Sequence, residues 1–175
     1  MTHITKAAVL AATAALATPA LATDWTGFYL GAQGSYGEIS GGGAAQDYAI
    51  GGLQAGYNYD FGNNWVVGGE VDYNFDNRSF GANTMDDSWS LKGRVGYSLG
   101  DTLIYGTVGG VRAGITNAGT TTQDTGFLYG IGVEQRLNTN WSVAGELTQT
   151  KYQNFGGGGS DFDDTKASIK VNYRF

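Results

Sequence analysis

Apolar and polar residues alternate with a period of two along most of this chain. From Trp65, the residues Trp65, Val67, Gly69, Val71, Tyr73 and Phe75 fall on one face, and Val66, Gly68, Glu70, Asp72 and Asn74 on the other. Such alternation specifies a strand with one greasy and one wet face. The same pattern recurs at 87–99, where Trp89, Leu91, Val95 and Tyr97 oppose Ser90, Lys92, Arg94 and Ser98. It recurs at 125–137, with Phe127, Tyr129, Ile131 and Val133 against Glu134 and Arg136, and more weakly at 141–152, with Trp141, Val143 and Leu147 against Ser142, Glu146 and Thr148. At 164–175, Ala167, Ile169, Val171, Tyr173 and Phe175 alternate with Lys166, Ser168, Lys170, Asn172 and Arg174. Segments 25–36, 47–59 and 102–114 complete a set of eight predicted strands. The register of 102–114 is ambiguous, since Leu103, Tyr105 and Val111 stand against Ile104 and Val108. Arg112 is expected to settle it, because a cation is disfavoured on an apolar face; Leu103, Tyr105 and Val111 are then expected to face outward.

The connections alternate in length. Those at 60–64, 100–101 and 138–140 are short, and those at 37–46, 76–86, 115–124 and 153–163 are long. Short turns at one end and long loops at the other are the pattern of a membrane-spanning barrel, with the short turns in the periplasm. Aromatics gather at the predicted strand ends. Trp25, Tyr57, Tyr59, Trp65, Tyr97, Trp141, Tyr173 and Phe175 form one expected girdle, and Tyr36, Tyr73, Phe75, Trp89 and Phe127 the other. Residues 1–22 read as a secretory signal peptide: Lys6, an apolar run from Ala7 to Ala17, and a small-residue site ending at Ala22. Residues 23–175 are then one barrel domain. A soluble β-sandwich shares the period-two pattern; the loop alternation, the girdles, the export signal and the aromatic Phe175 favour the barrel. The expected fold is therefore all-β, an eight-stranded antiparallel up-and-down transmembrane β-barrel.

With oil outside, the charged residues belong inside. The register predicts a lumen network of Glu70, Asp72, Lys92, Arg94, Arg112, Glu134, Arg136, Glu146, Lys170 and Arg174, with Lys166 also inward. An eight-stranded barrel is just wide enough for side chains to fill, and unpaired buried charge is costly. Pairing of Glu70 with Lys92 and of Glu146 with Lys170 is expected. A charge-filled plug and a narrow ion path are both compatible with this lining.

Composition removes several functions. The only histidine is His3, within the expected signal peptide, and there is no cysteine. Ser–His, Asp–His and Cys–His catalytic sites are thus unavailable to residues 23–175, and no catalytic residue or cofactor is expected. The net charge of −6 argues against nucleic acid as a partner. No metal site is assigned; the weak candidate is Asp161, Asp163 and Asp164, whose oxygens suit Ca²⁺ but lack the spacing of a known loop.

Several segments resemble the small outer-membrane β-barrel family that includes opacity-type, porin-like surface antigens. They are W-T-G-F-Y-L-G at Trp25–Gly31, G-Y-N-Y at Gly56–Tyr59, W-V-V-G-G-E-V-D-Y at Trp65–Tyr73, R-V-G-Y at Arg94–Tyr97, Y-G-T-V-G-G-V at Tyr105–Val111, and G-I-G-V-E-Q-R-L-N-T-N-W-S at Gly130–Ser142. The alternating Ile169, Val171, Tyr173 and Phe175 look like such a barrel's insertion signal. The resemblance implies residence in the cell outer membrane, contact with outer-membrane lipid, and insertion by barrel-assembly machinery. It also implies an envelope or surface role, with low-conductance transport or adhesion through the long loops as alternatives.

Overall fold

The computed structural model describes residues 24–41, 44–75, 79–80, 83–117, 120–152 and 162–175. The expected signal segment lies outside them. The strands are β1 (Gly27–Gly41), β2 (Ala44–Asp60), β3 (Trp65–Phe75), β4 (Ser79–Phe80), β5 (Asn83–Leu99), β6 (Thr102–Asn117), β7 (Thr120–Arg136), β8 (Trp141–Tyr152) and β9 (Phe162–Arg174). Eight of them form the wall. The two-residue β4 only pairs with β5 above the gap between β3 and β5. All pairings are antiparallel, in the order β3-β2-β1-β9-β8-β7-β6-β5, and β3 pairs with β5 to close the ring. Closure leaves the wall without a free edge, as backbone polar groups require in hydrocarbon.

Two of the expected long loops are largely strand. The β1–β2 ladder runs on to Gly41↔Ala44, and the β6–β7 ladder to Asn117↔Thr120. About 9–11 residues suffice for a tilted strand to cross a bilayer, so these strands, 15 to 17 residues long, project beyond it on the long-connection side. A register irregularity between Met85 and Ser88 interrupts β5 against β6 near the same level. The opposite rim is tight. Positive φ at Gly62, Asn64 and Gly100 makes its short turns, a conformation glycine adopts freely and asparagine tolerates.

Large apolar side chains cover the outside. Leu91, Val95, Val108, Ile131, Leu147 and Ile169 are all exposed, Ile131 to 67%. Most of the expected girdle aromatics also face outward, from Trp65, Tyr97 and Trp141 at one rim to Tyr73, Trp89 and Phe127 at the other. The rings pack on one another, Trp65 on Tyr97 and Trp141 on Tyr173 with centroids 5.5 and 5.2 Å apart.

Two expectations are corrected. Trp25 is not in the girdle: it is fully buried and donates its indole N–H to the Gly100 carbonyl at 3.0 Å. The register of β6 is the reverse of that expected. Leu103, Tyr105 and Val111 point inward, and Arg112 points out. The reason is space and depth. Leu103 fits over Gly96 and Tyr105 over Gly132, where a Cβ would collide with either side chain. Arg112 lies at the outer end of β6, opposite Trp89 and Thr125, and an outward cation near the interface costs only about 0–1 kcal/mol.

Small inward residues thus decide where the large inward ones go. Gly132→Leu should force the Tyr105 ring from its seat and destabilise the barrel by about 1–3 kcal/mol. The check is the midpoint of urea unfolding in detergent, followed by the mobility difference of heated and unheated samples; outward Gly106→Leu, which meets nothing closer than 3.9 Å, should leave it unchanged.

Candidate functional site

Period-two alternation on β3, β5, β7, β8 and β9 sends their charged residues to one shared interior. Among the described residues, the buried charges are four acids, Glu70, Asp72, Glu134 and Glu146, and four cations, Lys92, Arg94, Lys170 and Arg174. The balance is neutral, and it is organised in two tiers.

The upper tier is a two-lysine, three-acid cluster. Lys92 Nζ lies 2.6 Å from Glu70, 2.7 Å from Asp72 and 2.9 Å from Glu146. Lys170 Nζ lies 2.6 Å from Glu70, 2.9 Å from Glu146 and 3.8 Å from Asp72. Glu70 and Lys92 are direct neighbours across β3 and β5. The arrangement is nevertheless not two separate pairs, since each ammonium touches both glutamates and bridges opposite walls. Hydroxyls add to the carboxylates' hydrogen bonding: Tyr29 donates to Glu70 at 2.8 Å, Tyr105 to Glu146 at 3.1 Å and Ser90 to Asp72 at 2.8 Å.

The lower tier centres on Glu134. It receives Arg94 Nη2 at 2.7 Å, Ser142 Oγ at 2.6 Å, Asn172 Nδ2 at 3.2 Å and Arg174 Nη1 at 3.5 Å. The Arg94 guanidinium lies over the rings of Tyr29 and Tyr105, 5.1 and 4.7 Å from their centroids. It also reaches Glu70 at 3.7 Å, which joins the tiers. Arg174 donates to the Trp25 carbonyl at 2.5 Å and lies over its indole, with half-buried Arg136 beside it. Trp25, Val66, Leu103 and Tyr105 form an apolar floor beneath.

Of the other candidates, Lys166 is half-buried on the inward side of β9, above the network, and Arg112 is outside it. Asp163 and Asp164 are successive residues of β9, exposed and half-buried respectively, and point to opposite faces. They cannot converge on one cation; Asp164 instead accepts from the Tyr48 hydroxyl at 2.6 Å. Asp161 lies outside the described residues. Ile169, Val171, Tyr173 and Phe175 form an outward row. Sequence reasoning missed Trp25, Tyr29 and Tyr105 as interior residues. The available signal was the set of inward glycines: Gly56 and Gly132 leave room for the rings of Tyr29 and Tyr105.

Removing one carboxylate should expose the cost of this burial. Glu70→Gln leaves Lys92 and Lys170 short of negative charge and should destabilise by about 3–5 kcal/mol; Glu70→Gln combined with Lys170→Met should recover part of that loss in the same urea titration.

Comparisons with known proteins agree with this architecture. The family model described as outer membrane protein beta-barrel domain matches residues 8–175. A 22 kDa outer membrane protein of Rhizobium leguminosarum bv. viciae is 32% identical over 161 residues, covering 87% of this chain and 74% of that protein. A 31 kDa outer-membrane immunogenic protein of Brucella melitensis is 27% identical over 151 residues, 71% of this chain and 61% of that protein. Among solved structures, Ail, the attachment invasion locus protein of Yersinia pestis, superposes with a TM-score of 0.63 at 17% identity, covering 86% of this chain and 99% of Ail. Neisserial surface protein A gives 0.62 at 15% identity, covering 86% and 98%. At these identities the two structures share the fold alone.

Proposed function

This chain belongs to the outer-membrane β-barrel protein family and is a surface protein of the cell outer membrane; from that premise we propose that it is a closed, non-catalytic envelope barrel whose lumen is plugged by its own charges. The observation that carries the reading is the neutral set of four acids and four cations at the lumen's centre. An ion path lined by one sign of charge would leave that charge free to meet the ion. Here each ammonium is already held by at least two carboxylates. The apolar cluster of Trp25, Val66, Leu103 and Tyr105 lies toward the periplasmic end, which supports closure there.

Against catalysis stand the lack of histidine beyond His3 and of any cysteine, and the engagement of every buried carboxylate with cations. The extracellular ends of the strands present the chain at the surface, in keeping with the immunogenic Brucella relative. Outer-membrane lipid is the partner of the apolar exterior, and barrel-assembly machinery is proposed to read the outward row Ile169, Val171, Tyr173 and Phe175. Surface ligands would engage the long connections.

A low-conductance pore is the second reading. It is favoured by buried polar atoms without a protein hydrogen-bond partner, namely both side-chain polar atoms of Asn58 and Gln54 Oε1, which water would satisfy. Planar-bilayer recording separates the two. The closed barrel should give no discrete conductance steps, whereas Glu70→Gln/Glu146→Gln, which leaves Asp72 to face both lysines, should give small anion-selective ones. Steps from the unaltered protein that disappear on changing Arg94 would establish the pore instead.

A further inference from the structure

Trp25 joins all three short turns to the last strand, although it belongs to no strand itself. It lies in residues 24–26, just before β1. Its backbone N–H donates to Asp60 Oδ2, at the β2–β3 turn, at 3.3 Å. Its indole N–H reaches the Gly100 carbonyl in the β5–β6 turn. Arg136 ends β7 at the β7–β8 turn, and Arg174 ends β9. Their guanidinium carbons lie 5.1 and 5.0 Å from the indole centroid, and Arg174 also donates to the Trp25 carbonyl. Two like charges thus meet on one ring, whose electron-rich face offsets their repulsion.

The flanking residues hold this arrangement. The Asp60 N–H donates to the Thr26 hydroxyl at 3.1 Å, and the Thr26 N–H to Asp24 Oδ1 at 2.8 Å. Gly27 has a φ of +139°, which side chains rarely permit, and a Cβ there would stand 3.3 Å from the Phe175 carbonyl oxygen. Glycine therefore lets the chain turn from the wall in under the rim.

The hydrogen bonds to Asp60, Gly100 and Arg174 span 35, 75 and 149 residues of sequence. Their partners stand together beneath the lumen only when the wall is closed. The ladder of β1 with β9 joins the first strand to the last and is the seam of the ring. Contacts between distant parts of a chain carry a loop-closure cost, so Trp25 gains its partners only once β1 has met β9. We propose that residues 24–27 are a closure clasp, which seats after the β1–β9 seam has formed and holds that seam against reopening. Interactions absent from the folding transition state act on the unfolding rate and leave the folding rate alone. The clasp is independent of whether the lumen conducts.

The test uses protein extracted folded from outer membranes. Unfolding in guanidinium chloride and refolding on dilution are each timed by the heat-dependent gel shift. Trp25→Ala should speed unfolding about a hundredfold or more and leave refolding unchanged. Trp25→Phe keeps a ring and drops the Gly100 bond, so it should speed unfolding about tenfold. Gly27→Ala, which disturbs the bend and keeps the indole, should also speed it.

A disulfide then locates the effect, since the chain has no cysteine of its own. Ala32→Cys/Val171→Cys joins ladder partners across the seam, and Val143→Cys/Val171→Cys ties the same position of β9 to β8; such partners lie at disulfide spacing. The oxidised seam disulfide should abolish the effect of Trp25→Phe on unfolding, and the β8–β9 disulfide should leave it. Unaltered unfolding in both Trp25→Phe and Gly27→Ala overturns the clasp, as does refolding slowed by the factor by which unfolding is hastened. Equal protection by the two disulfides overturns its assignment to the seam.

Discussion

The charge network across the lumen is the interaction on which the rest of the structure depends. A closed eight-stranded wall in lipid has no choice about its exterior, which must be apolar, and little choice about its interior, which must be filled. This chain fills it with ions. Burying a charge is expensive unless opposite charge and hydrogen bonds surround it. Lys92 and Lys170 each meet two glutamates from different strands, so the network ties β3, β5, β8 and β9 together through the middle. Glu134 does the same below with Arg94 and Arg174. On the proposed reading the interior is both core and plug: the side chains that make the barrel stable are those that obstruct it.

The fold was largely legible in the sequence because its determinant is one-dimensional. Wherever a strand alternates Trp65–Val67–Val71 against Glu70–Asp72, a slip by one residue would set ions in hydrocarbon, so the face of every such residue follows from its parity. What parity does not contain is distance across the lumen. Glu70 and Lys92 are ladder neighbours, and their approach can be read from the hairpin. Lys170 reaches Glu70 from the far end of the chain, and nothing local signals it. Long lysine stems turn a set of pairs into a shared cluster, and that required three dimensions.

The β6 register shows where the rule fails. Its premise, that a cation avoids lipid, holds at mid-bilayer and lapses at the headgroups. Arg112 is ten residues from the start of β6 at Thr102, far enough to reach the interface. The competing signal lay in Gly96 and Gly132, both opposite Tyr105, whose missing side chains make room for an inward leucine and tyrosine. Trp25 was misplaced for a related reason: an indole with a buried carbonyl to bond, at Gly100, gains more inside than at a rim. The exterior then has a polarity of its own, with its exposed described cations, Arg112 and Lys151, at the outer end.

Amine modification of the folded protein in liposomes tests the central claim most directly. A small water-soluble acylating reagent, read by peptide mass spectrometry, should modify exposed Lys151 rapidly and leave Lys92 and Lys170 unmodified until the barrel is unfolded. Modification of Lys92 and Lys170 in the folded state at the rate of Lys151 would show that water and solutes pass freely through the middle of the lumen, and the interlocked charge plug would have to be given up.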